Sequence, residues 1–525
     1  MRFKQLKALY ALLATLVLII STGGSAVAGS WTPPFNSDLN TKGVNLVDSF
    51  INTGESMSSL MAVTGGGETS ATEAICTTLQ VSEPCKFGEN NGWFLHGTIL
   101  LGKCKTADEM NCIESLSIGS SATDIKDAEF LRMTDGPETP AIESLGLTAG
   151  SSSSLWQSDV VHAGGKATYS AFVSLKVSFN VQTKRVSYSN LTAAINPYTE
   201  ITGAKYRTPF LHSVTQPNGK VVIGRAGGER ECSWTSAGLC GLTEEFTPGT
   251  FAGMKLHLTK EITGWFSGRL SSPTVQINSI NSTTNLVSIT GSSVQVPRFA
   301  AFVPKSTPLP NFDRVMSSSP GWIGGMLNTR TDDLNNVVYL EDFRTIVNDT
   351  SSGVNDVWNI NTVRGVSNPC FTDTSKVHGI VTTNALLYSG QSPTFSNQTI
   401  DYSVAGLHFL PDGVTPVEGS YDLVMRSETA RCLYGFSAAP LSATISVTNS
   451  NGEAKTATTS FVERSGWVYF KAQGFTFSEP KITVKLSQSK PAKKTTITCV
   501  TQKKPIKTKN ITGVAPKCPT GFKKK

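Results

Sequence analysis

Alternation of apolar and small polar residues is what most limits the folds open to this chain. In Ala171-Phe172-Val173-Ser174-Leu175-Lys176-Val177-Ser178-Phe179-Asn180-Val181 the two kinds take turns. Successive side chains of a strand point to opposite faces, so this period predicts a strand with one face in a core and one toward water. The same period returns over residues 274–280, 286–289, 443–447, 457–462, 467–470 and 482–486. Asn218-Gly219 supplies the positive φ of a hairpin turn just before Val221-Val222-Ile223. No segment repeats exactly at a fixed period, so a propeller or solenoid is not expected. The pattern predicts a mainly β chain with two or more antiparallel β-sandwich-like domains and a mixed, irregular N-terminal region.

Other local signals are weaker. Apolar spacing over 44–61 and 110–131 has a loosely helical period. Residues 337–340 and 380–381 read as short strands. Four prolines within 297–310 suggest an extended connector, and the serine run 151–154 suggests a boundary or a surface loop. The expected organisation is a signal peptide over 1–28, a mixed region with four cysteines over 29–155, a β-rich domain over 156–305, sandwich-like β structure over 306–489 and a Lys-rich module over 490–525.

Charge supports that division. The chain carries 46 Lys+Arg against 39 Asp+Glu. Three basic residues and no acid lie in 1–29, and eleven lysines and no acid lie in 490–525. The remaining 30–489 therefore holds 32 basic against 39 acidic residues, a body of charge −7. A nucleic-acid-binding domain would carry its basic residues on the folded body, so nucleic acid is not an expected partner. Charged residues are 16% of the chain against roughly 25% in ordinary soluble domains, a composition suited to an extracellular β protein.

Residues 1–28 have the charged start (Arg2, Lys4, Lys7), the apolar run from Ala8 to Ile20 and the Ala26-Val27-Ala28 site of a cleaved secretory signal. That apolar run is too short to span a bilayer as a helix, and no later stretch approaches a spanning length, so an extracellular or cell-surface location without a transmembrane span is expected. All ten cysteines follow this leader, and an oxidising compartment favours disulfides. Spacing suggests Cys76–Cys85, Cys104–Cys112, Cys232–Cys240, Cys370–Cys432 and Cys499–Cys518, with partner exchange among Cys76, Cys85, Cys104 and Cys112 left open. There is no Cys-x-x-Cys and the six histidines are scattered, so neither a metal site nor a cofactor is expected.

Catalytic signatures are sparse. Gly-x-Ser-x-Gly and His-Glu-x-x-His are absent. Thr331-Asp332-Asp333-Leu334-Asn335-Asn336 is the nearest approach to a calcium loop, and a solvated turn explains it better. Glu244-Glu245 and Glu341-Asp342 are adjacent carboxylates, which on a strand would face opposite ways and are expected to be exposed surface charge. Trp93, Trp156, Trp234, Trp265, Trp322, Trp358 and Trp467 include possible sugar platforms, of which Trp265 and Trp322 have the loop-like glycine neighbours. The five sequons at Asn190, Asn281, Asn348, Asn397 and Asn510 carry meaning only in a glycosylating host.

The tail makes the clearest physical demand. Lys503, Lys504, Lys507, Lys509, Lys517, Lys523, Lys524 and Lys525 lie on or beside the loop that Cys499–Cys518 would close. Like charges with no acid repel one another and gain from a nearby polyanion. The expected partners are an anionic cell-envelope polymer or lipid headgroups; a solubilising, partly disordered tail is the competing reading.

Two stretches carry a resemblance. Ser420-Tyr421-Asp422-Leu423-Val424-Met425-Arg426-Ser427-Glu428-Thr429-Ala430-Arg431-Cys432-Leu433-Tyr434-Gly435-Phe436 is followed by Ala457-Thr458-Thr459, Gly466-Trp467 and Gly474-Phe475-Thr476-Phe477-Ser478. With the two-cysteine, Lys-rich end, this resembles exported actinobacterial surface proteins built from β-sandwich modules. The resemblance covers about 311–525, implies an exported protein, and transfers no catalytic residue. The expected function is a structural or adhesive surface protein without catalysis, retained through the basic end. The alternatives are a secreted polysaccharide hydrolase and a non-catalytic carbohydrate-binding protein.

Overall fold

The computed structural model describes residues 40–48, 58–64, 73–76, 93–180, 185–202, 210–215, 221–226, 234–236, 239–262, 264–317, 325–363, 368–371, 373, 376–437, 441–448, 453–477, 481–488, 495–513 and 516–525. The expected signal peptide, the 218–219 turn and Trp322 lie outside them.

The alternating stretch becomes the strand Thr168–Asn180, paired antiparallel with the long strand Arg185–Thr202. Leu175, Val177, Ala193 and Ile195 point into the core, where they meet Leu116, Leu256 and Val287. Those three belong to a separate five-stranded sheet, ordered Ser271–Ser279, Thr284–Ser292, Phe251–Thr259, Cys112–Gly119, Lys126–Asp127. A second sandwich packs the strands Glu418–Arg426 and Trp467–Thr476 against Thr399–Ala405, Lys481–Gln488 and Leu441–Thr448, around Leu423, Phe470, Tyr402 and Val484. The chain is mainly β, with several antiparallel sheets, as its alternation predicts.

The largest sheet crosses the composition boundaries. Thr41–Val47 lies between Val294–Pro304, antiparallel, and Gly325–Arg330, parallel. Gly264–Arg269 pairs with Gly353–Thr362 and runs parallel to Val377–Thr383. Strands from 29–155, 156–305 and 306–489 therefore share one hydrogen-bonded network.

Several local expectations are corrected. At its two ends the helical spacing over 44–61 belongs to the strands Thr41–Val47 and Ser59–Thr64, and residues 49–57 lie outside the described residues. The first strand is central to its sheet, and Val44 and Asn45 are both fully buried. Over 110–131 the structure has Cys112–Gly119, Lys126–Asp127 and Glu129–Met133, all strands. The register shifts between Lys255 and Leu256, which face Ser115 and Ile113, so a bulge at Glu114 stretches the buried spacing from Ile113 to Leu116 into an apparent helical step.

Residues 337–340 open the helix Val337–Arg344, which buries Tyr339, Leu340 and Phe343 on one face. Residues 297–310 are no connector. Val294–Pro304 is a strand that pairs with Gly353–Thr362 at its start and with Thr41–Val47 beyond Pro297. Pro310 then starts the helix Pro310–Ser317, a place where its missing N–H costs nothing. Both helices close a third core over Val44, Leu46 and Phe299. Ser152, Ser153 and Ser154 are buried, and Ser154 opens the strand Ser154–Gln157, so the serine run is not a surface loop.

Three expected disulfides are formed: Cys104–Cys112, Cys370–Cys432 and Cys499–Cys518. Cys76 is also disulfide-bonded. Cys85 and Cys232 lie outside the described residues, as does the side chain of Cys240. Among the described residues no helix is long and apolar enough to cross a membrane.

Candidate functional site

Residues 495–525 fold into a small sheet of their own, with Thr495–Thr501 between Thr508–Gly513 and Phe522–Lys524. β-branched threonine and isoleucine favour extended backbone here, and cross-strand pairs reinforce it. Thr496 Oγ1 lies 2.8 Å from Thr512 Oγ1, and Thr498 Oγ1 donates to Asn510 Oδ1 at 3.0 Å. Cys499 is fully buried, and its bond to Cys518 ties the sheet to the connection that returns as the third strand.

The register places the charges. Cys499 faces Lys509 on one side and Lys524 on the other, so these two lysines flank the disulfide on one face. Val500 faces Thr508 and Lys523, which sets Lys523 on the opposite face. Lys503, Lys504 and Lys507 occupy the hairpin loop, and Lys517 precedes Cys518. All eight side chains are exposed, and 490–525 contains no Asp or Glu. The competing picture of a partly disordered tail does not describe 495–513 and 516–525, which are strand and closed loop.

The expected carboxylate pairs are placed differently. Glu244 and Glu245 follow the strand Leu239–Thr243 and are half-buried, not exposed charge. Glu245 accepts the backbone N–H of Asp356. Burial pushes Glu244, Glu245 and Asp356 all above the usual carboxylate range; for Glu245 the Asp356 N–H and Arg298 oppose the effect, and the Asp356 charge adds to it. Glu341 is exposed, whereas Asp342 accepts from Asn311 Nδ2 at 3.1 Å and Phe312 N at 2.8 Å, tying two helices together. In the 331–336 turn, Asp332 accepts from Arg330 Nε at 2.7 Å and Asp333 accepts from Asn335 N at 3.0 Å. These are structural tasks.

Trp265 is 1% exposed and stacks edge-on against Phe371, so its glycine neighbour does not mark a loop platform. A Cβ on Gly379 would meet its indole at 2.4 Å, showing how tightly the ring is enclosed. Trp156, Trp358 and Trp467 are buried as well. The side chains of Trp93 and Trp234 lie outside the described residues.

Sequence reasoning missed three arrangements that only the register creates. Arg269, fully buried, donates to Asp48 through Nε at 3.2 Å and Nη2 at 3.1 Å, and to the carbonyls of Thr383, Ala385 and Leu386. Its guanidinium lies 4.3 Å from the centre of the Tyr388 ring. Asp422 is buried, takes the N–H of Ser272 at 3.1 Å, and sits opposite Lys471, whose Nζ reaches Ser272 Oγ at 2.7 Å. A cleft of about 330 Å³ lies beside the Cys104–Cys112 disulfide, with Lys103, Glu109, Phe130 and Glu138 in its wall. Glu138 is exposed and Glu109 is engaged by the Lys105 backbone N–H. Neither is a sheltered acid of the kind glycoside hydrolysis needs.

Among the described residues, Cys104, Cys112 and His257 are grouped closely enough to hold an ion. The two sulfurs are bonded to each other, so no thiolate is offered there. No protein-family model matches the sequence, and no curated protein matches it.

Proposed function

We propose that this chain is an exported surface component, structural or adhesive rather than catalytic, held to an anionic cell envelope by its C-terminal module. One observation carries the reading: eight exposed lysines on a disulfide-closed sheet in a segment with no acid. A folded sheet holds its charges in place before contact, so binding a polyanion costs less ordering entropy than it would for a loose tail. The disulfides fit an oxidising, extracellular setting. Of the carboxylates singled out in the sequence, Glu245, Asp332, Asp333 and Asp342 accept hydrogen bonds that hold turns, helices and a strand junction together, and the described tryptophans are core. Those two facts favour a surface component over a hydrolase or a sugar-binding module.

A variant with Lys503, Lys507, Lys509 and Lys523 changed to Gln tests the reading. It should elute from an immobilised polyphosphate matrix at clearly lower salt than the native chain, with a flatter dependence of affinity on salt, because fewer counterions are displaced. An unchanged elution point and slope would remove the module from the binding surface.

A further inference from the structure

Polymer and lipid surfaces share negative charge, and lysine alone does not separate them. The hairpin loop of the module contains something that does. Between Lys504 and Lys507 lie Pro505 and Ile506, both exposed, and Ile506 is 60% accessible. Single exposed apolar residues are ordinary on protein surfaces. This one stands on the returning side of a hairpin loop, between Lys504 and Lys507, in a segment with no acid. Val414, the most exposed large apolar residue among those described, sits instead in a turn built on Asp412.

The loop is also closed in advance. Thr501 N donates to Lys507 O at 3.0 Å, and Lys507 N donates to Thr501 Oγ1 at 2.9 Å. The Thr501 hydroxyl lies 3.4 Å from the Lys503 carbonyl and 3.3 Å from that of Pro505. The backbone of the loop is thus turned inward onto one side chain, leaving the Pro-Ile pair outside.

We propose that loop 502–507 docks on an anionic lipid surface, with Lys503, Lys504 and Lys507 against headgroups and Pro505-Ile506 entering the interfacial layer. This rests on the reading of the module as polyanion-binding and names its partner. Each lysine near an anionic leaflet strengthens attachment roughly fivefold. A soluble polyanion offers no acyl region to receive Ile506, whereas a bilayer does.

The test uses the chain from residue 29 to 525, native and with Ile506→Ser or Ile506→Leu. The probes are vesicles of phosphatidylglycerol mixed with phosphatidylcholine, vesicles of phosphatidylcholine alone, and soluble polyphosphate. Ile506 is exposed, so neither substitution disturbs a core. The native chain should bind the anionic vesicles and not the neutral ones. I506S should weaken vesicle binding about tenfold while leaving polyphosphate binding unchanged, and I506L should retain it. Equal vesicle binding by I506S and native chain overturns the docking role. Native binding to polyphosphate but not to anionic vesicles also overturns it, yet leaves the basic-module reading intact. Binding to neither probe overturns both.

Discussion

Arg269 shows at single-residue scale why much of this molecule is invisible in its sequence. The residue ends the strand Gly264–Arg269, every residue of which is buried. A guanidinium there survives because Asp48 and three carbonyls take its donors and Tyr388 covers its face. Its partners lie more than a hundred residues away in either direction. No periodicity could announce them. Removing one member of a buried pair leaves the other charge stranded, at about 3–5 kcal/mol. R269M should lower unfolding stability by that amount in urea with the disulfides intact. Adding Asp48→Asn to it should recover part of the loss. A single variant as stable as the native chain would mean that the pair is not buried as described.

Between elements, the junction of the segment after Leu239–Thr243 with the strand Gly353–Thr362 carries a titratable contact. Glu245 and Asp356 are both raised, chiefly by burial, so the folded chain keeps their protons to higher pH than the unfolded chain does. Stability from this source is present at low pH and fades as pH rises from the ordinary value of 3.8 for Asp356 through its raised folded value. D356N removes one of the groups. Its melting temperature relative to the native protein should therefore become more favourable between about pH 4 and pH 7. A difference that is flat or runs the other way would contradict the burial of that carboxylate. Adjacency of Glu244 and Glu245 was visible in the chain; the approach of Asp356 was not, because strand register brings it there. The strand Thr168–Asn180 was legible because serines and apolar residues take turns along it, although residues 169–175 are buried on both faces. Where a strand is bulged, as at Glu114, the period of two is broken and a helix is read instead.

For the whole molecule, charge and covalent structure give the same division. A mildly acidic body with large sandwich cores precedes a small basic sheet that, among the described residues, shares no ladder with the other sheets. The basic end and its disulfide were legible from composition and spacing alone; that the segment folds as a three-stranded sheet, with lysines on both faces, was not. The most direct test of envelope attachment compares the chain from residue 29 to 525 with one from residue 29 to 489, each mixed with cell envelopes and sedimented across a salt series. The account predicts that the full chain pellets at low salt and is released by moderate salt, while the shortened chain stays in the supernatant throughout. Salt-insensitive pelleting, or equal pelleting of both chains, would contradict it.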